Sequence, residues 1–234
     1  MVITIKVFIV TGVSSGLGKS IFDLLIKKNQ IIVALSRTFN EYQLELQKGN
    51  KVELLTCDLS MVNQLQNILN NISLIDSDSV DEIIFINNAA TINPISQIGD
   101  FSKNDIIDSI SINLSSSIII NNYLCKISNK NDLTYKIVNI TTGAARRPIE
   151  GWAMYCTTKS AVEMFLEVIE LENDNVKVIN VDPGVINTGM QEKIRNSSEE
   201  DFPLVEQFKK IDAEDKLKSP DDVALEIIEG NHLI

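Results

Sequence analysis

The opening stretch, TIKVFIV followed by TGVSSGLG and then KSIFDLLIKKN, leaves the chain few folds to choose from. Residues 4–10 are apolar at most positions, so a strand there must be covered on both faces. Glycines at 12, 16 and 18 follow almost at once, and residues 18–29 then carry Ile21, Leu24, Leu25 and Lys28 at helical spacing. A two-faced strand that turns directly into a helix is the first half of a parallel crossover unit. The pattern repeats along the chain. Apolar runs at 31–36, 51–56, 81–87, 135–141 and 176–181 read as further strands, and longer stretches at about 104–128 and 151–172 read as helices. This alternation gives a parallel sheet with helices on both faces and right-handed crossovers. No repeat, linker or low-complexity tract interrupts it, so residues 1–234 read as one doubly wound α/β domain. The polar piece NSSEEDFP, 196–203, breaks the alternation after the sixth strand and reads as a mobile excursion.

Composition narrows the function. Hydrophobic residues make up 44% of the 234, enough for a large core. The net charge of −11 argues against nucleic acid or an anionic membrane as partner, since phosphate binding needs basic patches. The amino-terminal run MVITIKVFIVTG lacks the basic start and cleavage site of a secretory signal, and no stretch nears the roughly 20 apolar residues of a membrane span. Cys57, Cys125 and Cys156 have neither disulfide nor metal-ligand spacing, so no metal site is expected. A reduced, cytoplasmic setting follows. The glycosylation patterns at Asn113 and Asn139 are then chance matches.

The glycine turn gains its chemistry from its place between strand and helix. Glycine permits a tight turn and close backbone approach to a phosphate, and the following helix start offers free N–H groups. Gly12, Ser14, Ser15, Gly16, Leu17 and Gly18 therefore read as the pyrophosphate loop of a dinucleotide site. The second strand ends at Ser36 and Arg37, with no acid where NAD-preferring sites hold the ribose hydroxyls. A guanidinium there suits a 2′-phosphate, so the reading is NADP(H) over NAD(H), against Arg37 as a solvated surface charge.

Six landmarks in one order carry a family resemblance: TGVSSGLG at 11–18, CDL at 57–59, NNAA at 87–90, Asn113, YCTTK at 155–159 and PGVINT at 183–188. The chain resembles the short-chain dehydrogenases/reductases over nearly its whole length. GAARRPIEGWAMYC (143–156) and GMQEKIRNSSEEDF (189–202) are similar to the sepiapterin reductase branch, and most to its bacterial members that reduce benzil-like 1,2-diketones. The resemblance implies a Rossmann-type sheet of six to seven strands in the order 3-2-1-4-5-6-7. It also implies a cofactor half at about 1–140 and a catalytic and substrate half at about 141–234. By the same resemblance Asp58 would bond the adenine amino group, with Leu59 beside the ring. Asn87 would brace the sheet and the adenosine ribose, and Ala89 would border the cofactor. Pro183, Gly184, Val185 and Ile186 would meet the nicotinamide end, and Thr188 its carboxamide or the phosphates. Asn113, Thr142, Tyr155 and Lys159 would form a catalytic tetrad, with Tyr155 and Lys159 also at the nicotinamide ribose. A homodimer or homotetramer through the two long helices is implied as well.

This sequence departs from the family at three points. Thr142 stands for the usual serine, Ala90 stands for a glycine, and the sequence stops at EGNHLI. The relatives continue there with a seventh strand and, in sepiapterin reductases, a pterin-anchoring acid. The seventh strand is therefore expected to be short or missing, and sepiapterin reduction becomes the lesser reading.

The residues argue the same chemistry on their own. Ketone reduction needs hydride on carbon and a proton on oxygen. Tyr155 and Lys159, at i and i+4, share a helix face. A nearby ammonium should lower the phenol's pKa from its usual value of about 10. Thr142 ends the fifth strand, where open parallel sheets bind ligands, while alternation turns Thr141 to the other face. Asn113, inside a long helix, is implied to mark a kink that holds a relay water. Ala144, Trp152 and Met190 are candidate substrate contacts. Trp152 either walls the pocket or packs at the helix start, and Met190 and Phe202 either line a lid or pack in the core. Arg146 and Arg147 read as solvated surface near the mouth, Cys156 as core, and His232 as having no role. The leading function is an NADPH-dependent reductase of small ketones or 1,2-diketones. The alternatives are a sepiapterin reductase and an NADPH-binding regulator with weak turnover.

Overall fold

A computed structural model describes residues 4–75 and 79–234; residues 1–3 of the amino-terminal run lie outside it. Six strands alternate with helices. They are β1 (Lys6–Thr11), β2 (Ile31–Ser36), β3 (Val52–Thr56), β4 (Glu82–Asn87), β5 (Thr134–Ile140) and β6 (Val176–Val181). The intervening helices are α1 (Gly16–Lys27), α2 (Glu41–Leu46), α3 (Val62–Leu69), α4 (Lys103–Ile110), α5 (Ser116–Asn131) and α6 (Ala153–Glu172). After β6 come α7 (Gly189–Arg195), α8 (Val205–Ala213) and α9 (Pro220–Gly230). All strand pairs are parallel, in the order β3-β2-β1-β4-β5-β6. The domain is thus a Rossmann-like α/β fold with six strands. Among the described residues no strand follows β6, and the chain instead closes with α9 and one isolated bridge between Ile186 and Lys218.

The two-faced strands explain the unbroken apolar runs. Val7 and Ile9 of β1 join Val33, Leu35, Ile83 and Phe85 in one core, beneath α3, α5 and α6. Phe8 and Val10, with Ile32, Ala34, Ile84 and Ile86, face the other way into a second core under α1 and α9. Each strand residue therefore loses water on whichever face it points to, which is the main drive to this layered form.

The turn after β1 is the tightest place in the fold. Gly12 has φ +76 and Gly16 φ +54, a region that residues with a Cβ rarely enter. At Gly18 a Cβ would stand 2.2 Å from the Gly12 carbonyl oxygen and 2.4 Å from Nδ2 of Asn88. Helix α1 can start against β1 only because that atom is missing. Neighbours brace the turn. Asn88 Nδ2 donates to Thr11 O at 2.9 Å, Gln43 Nε2 to Val13 O at 3.0 Å and Asn40 Nδ2 to Ser14 O at 3.3 Å. Gln43 is fully buried, and its Oε1 also accepts from the Asn40 N–H, so the capping box of α2 is tied to the glycine turn.

Two expectations change. The helix read over 104–128 is not continuous, because Ser111–Ser115 forms a π turn between α4 and α5. Such turns insert an extra residue into the helical ladder. The excursion at 196–203 is anchored rather than mobile: Phe202 is fully buried and stacks on Trp152 with ring centroids 4.8 Å apart. Gly151, at φ +79, makes room for it, since a Cβ there would lie 2.3 Å from Asp201 O.

A matched pair of substitutions tests the tight turn. Gly18→Ala should cost about 1–3 kcal/mol, because the added methyl meets backbone rather than a movable side chain. Gly230→Ala, with nothing within 4 Å of the added atom, should be neutral or stabilise by up to about 1 kcal/mol. Urea denaturation of the two variants beside the parent checks the contrast.

Candidate active site

The carboxyl ends of the strands open into one cleft of about 920 Å³. Its walls are the glycine turn, the segments after β2 to β5, the start of α6 and the loop from β6 into α7. Parallel sheets place their ligand crevice at this edge. The candidate cofactor, catalytic and substrate residues named above line the cleft except Asn87 and Asn113, and the lid candidate Phe202 also lies outside it.

At the nucleotide end, helix α1 begins against the cleft with its first turn free of acids. The Ser15 side chain makes no bond to the first N–H groups of the helix. Unsatisfied N–H groups and the positive end of the helix dipole suit an anion. Arg37 is exposed at the end of β2, and Ser36 is buried beside it. Asp58 accepts from both N and Oγ of Ser60, at 2.9 and 2.8 Å. The Ser60 backbone bond chiefly holds its carboxyl below the usual value, with help from the Ser60 hydroxyl and the nearby Arg37. The site therefore presents glycine backbone, a helix start, a cation and a fixed carboxylate in sequence, a donor set that fits a dinucleotide.

Asn87 stands apart from this set, its side-chain amide being engaged within the sheet. It forms a ladder across the sheet, donating to Ser117 Oγ at 3.1 Å and to Asn139 Oδ1 at 3.0 Å, while Asn139 donates to Asn180 at 2.8 Å. The three asparagines are in register on β4, β5 and β6, so the bracing part of the reading stands. The neighbour Asn88 lines the cleft instead.

At the other end, Thr142, Tyr155 and Lys159 share the cleft wall. The Thr142 hydroxyl lies at the strand end and accepts from the Ala144 N–H at 3.3 Å, which leaves its proton free to donate. Thr141 points away, and its hydroxyl donates to Glu163. Lys159 is buried, with Nζ donating to Ile140 O at 2.7 Å and lying 5.9 Å from the Tyr155 ring centre. Burial pulls the Lys159 ammonium down to about 8, against the opposing Glu163 carboxylate. The same burial raises the Tyr155 phenol well above its ordinary value, with the Asp182 and Cys156 charges adding to it. The expected lowering by Lys159 is therefore not found: the ammonium bonds a carbonyl, and desolvation of the phenolate outweighs it. A phenol kept neutral is a proton donor at hand.

Asn113 does not reach the cleft. Its amide clamps Thr91, accepting from N at 2.7 Å and donating to O at 2.8 Å, and donates to Thr158 Oγ1 at 3.2 Å. The π turn brings it there, joining the segment after β4 to α6. Among the pocket candidates, Ala144, Trp152 and Met190 line the cleft. Trp152 does both things open in the sequence: it walls the cleft and packs on Phe202, while Phe202 belongs to the core. Arg146 pairs with Glu163, whereas Arg147 lines the cleft. Among the described residues no group of three or more His, Cys, Asp or Glu could hold a metal ion.

Known proteins resemble this chain in sequence and in fold. The model of the short chain dehydrogenase family matches residues 6–199. The chain belongs to the short-chain dehydrogenase family. It is an oxidoreductase of a family that uses NAD(P)(H) and acts on carbonyl or alcohol groups. It is similar to benzil reductase ((S)-benzoin forming) of Bacillus subtilis, with 32% identity over 94% of this chain and 90% of the relative. The benzil reductase of Bacillus cereus is 34% identical over 92% and 90% of the two chains. Sepiapterin reductase of Rattus norvegicus is 28% identical over 90% and 85%. Among solved structures, the KRED1-Pglu enzyme superposes with a TM-score of 0.80 over 94% of this chain and 91% of its own, at 21% identity. No helix among the described residues of this dehydrogenase is long and apolar enough to cross a membrane.

Several residues of the site were not singled out from the sequence: Thr11, Gln43, Asn88, Gly151, Glu163 and Asp182. The capping-box spacing Asn40-x-x-Gln43 was a readable signal for one of them. The others are defined by partners far away in the chain. The buried lysine gives a test with a definite sign. Between pH 8 and 10.5 the unfolded chain keeps the Lys159 proton and the folded one has lost it, so this group makes stability rise across that window. Urea denaturation from pH 7 to 10 should show the stability advantage of Lys159→Met over the parent shrinking as pH rises.

Proposed function

We propose that the chain is an NADPH-dependent carbonyl reductase acting on small ketones and 1,2-diketones of the benzil kind. The observation that carries this reading is the convergence of a strand-end hydroxyl, a neutral buried phenol and a buried lysine on one wall of the dinucleotide cleft. The similarity to two benzil reductases supports the substrate class. The cofactor, when bound, supplies the hydride. Gly12, Ser14, Ser15, Gly16, Leu17 and Gly18 hold its pyrophosphate, and Ser36 and Arg37 its 2′-phosphate. Asp58, Leu59 and Ala89 border the adenosine. Pro183, Gly184, Val185, Ile186 and Thr188 border the nicotinamide end.

In this reading Thr142 donates to the substrate oxygen and orients it. Tyr155 gives its proton to that oxygen as charge develops there. Lys159 holds the nicotinamide ribose and keeps a positive charge beside the phenolate left behind. Threonine in place of serine keeps the donor and adds a methyl, which narrows the pocket next to Ala144. Asn113 acts as a positioning residue through Thr91 and Thr158.

The exposed apolar side chains of α4 and α6, among them Ile107, Met164, Val168 and Leu171, support assembly as a homodimer or homotetramer through those helices. Light scattering after size exclusion should give a mass of two or four chains, and a monomer at micromolar concentration overturns this part.

The activity is read by NADPH oxidation with benzil, with NADH and sepiapterin in parallel. Turnover is expected with NADPH and benzil. Tyr155→Phe should lower kcat by about 100-fold or more while NADPH still binds. Arg37→Ala should raise the KM for NADPH by about tenfold and leave that for NADH unchanged. Activity that survives the loss of the phenol would overturn the proposed chemistry.

A further inference from the structure

Helix α6 carries Tyr155, Lys159 and Glu163 at successive turns, each four residues from the last. The first two line the cleft, and Glu163 does not. It is nonetheless a buried carboxylate, 8% exposed. Taking a carboxylate out of water is costly, and a buried ion pair is a weak source of stability. Its position therefore asks for a reason beyond holding the fold together.

The carboxylate is fixed from two sides. Arg146 grips it with two N–H groups, Nε donating to Oε2 at 3.2 Å and Nη2 to Oε1 at 3.2 Å. The Thr141 hydroxyl donates to Oε1. The turn at 143–145 that leads to Arg146 is itself pinned to the helix, because the Ser160 hydroxyl donates to Ala145 O. The Arg146 side chain stays 61% exposed, so its guanidinium keeps its water while the carboxylate loses its own.

One helical turn back, the Lys159 ammonium is buried and donates to a neutral group, Ile140 O, at 2.7 Å. Burial works to strip its proton, and the Glu163 carboxylate is the charge that opposes this. The remaining charged groups near the helix are engaged elsewhere or stand at the cleft wall. Lys177 of β6 pairs with Glu170, Asp182 at the end of β6 acts on Tyr155, and Asp105 and Asp108 of α4 and Arg147 border the cleft.

We infer that Glu163 is a positioning residue of the reaction, supplying the buried counter-charge of the Lys159 ammonium while Arg146 and Thr141 hold its carboxylate in place. Without it the site would keep its shape and lose its cation as the pH rises. The inference rests on the carbonyl-reductase reading for the use made of that cation, and its first test needs no turnover.

The test follows the Lys159 titration directly, by the 13Cε signal of lysine-labelled protein that vanishes in Lys159→Met. Glu163→Gln keeps an oxygen for Thr141 and removes the charge, and the exposed Arg146 is then satisfied by water. The midpoint should fall by about one pH unit in this variant. It should stay within about 0.3 of the parent in Thr141→Val, which removes a hydrogen bond and no charge, and in Glu163→Asp, which keeps the carboxylate. A midpoint that holds or rises in Glu163→Gln overturns the inference, and so does an equal fall in all three variants. In the active enzyme the alkaline limb of kcat for benzil with NADPH should move down with the midpoint in Glu163→Gln and stay in Glu163→Asp. A uniform loss of kcat with the limb unmoved overturns the role in the reaction. A shifted midpoint in a protein that never reduces benzil supports the counter-charge and sinks the reductase reading.

Discussion

The contact between Gly18 and the Gly12 carbonyl is the constraint on which the site depends. Helix α1 starts so close to the end of β1 that no Cβ fits between them. That closeness aims the first turn of the helix into the cleft and sets the height of the glycine loop above the sheet. Asn88, Gln43 and Asn40 then hold the loop by its backbone. A side chain at position 18 would push the helix away and widen the anion cradle before it touched any other part of the fold.

Burial does the corresponding work at the other end. Tyr155 and Lys159 are both removed from water, and each is driven toward its neutral form. The pair thus differs from an exposed Tyr-x-x-x-Lys on a helix, where the ammonium would be the strongest influence on the phenol. The segment after β6 helps to build this environment. Phe202 stacks on Trp152, Trp152 meets Tyr155, and Gly151 lets the backbone at Asp201 come close. An excursion whose polar sequence suggests a loose loop is therefore tied to the reacting residues by one aromatic side chain.

Much of this could be read in the chain. All six strands lie where their apolar runs put them, because a strand covered on both faces has a composition that helices and loops do not share. Both Thr141 and Thr142 border the cleft, but the Thr141 hydroxyl turns to Glu163 and that of Thr142 does not, as the period of two requires. Other features were out of reach. The family resemblance places a kink at Asn113, but no periodicity gives its form, a π turn held by a clamp on Thr91 across the fold. Asn87 and Asn88 look equivalent in sequence, yet one joins the ladder with Asn139 and the other braces the glycine turn.

The sequence by itself determined the layered α/β form, the glycine turn and the identity of the residues at the strand ends. These follow from local periodicity and from the steric needs of single residues. Only the tertiary structure decided the protonation preference of Tyr155 and Lys159, the anchoring of Phe202 and the burial of Glu163 against Arg146. Each of these depends on how completely distant segments exclude water from one place, and exclusion is a property of the packed whole.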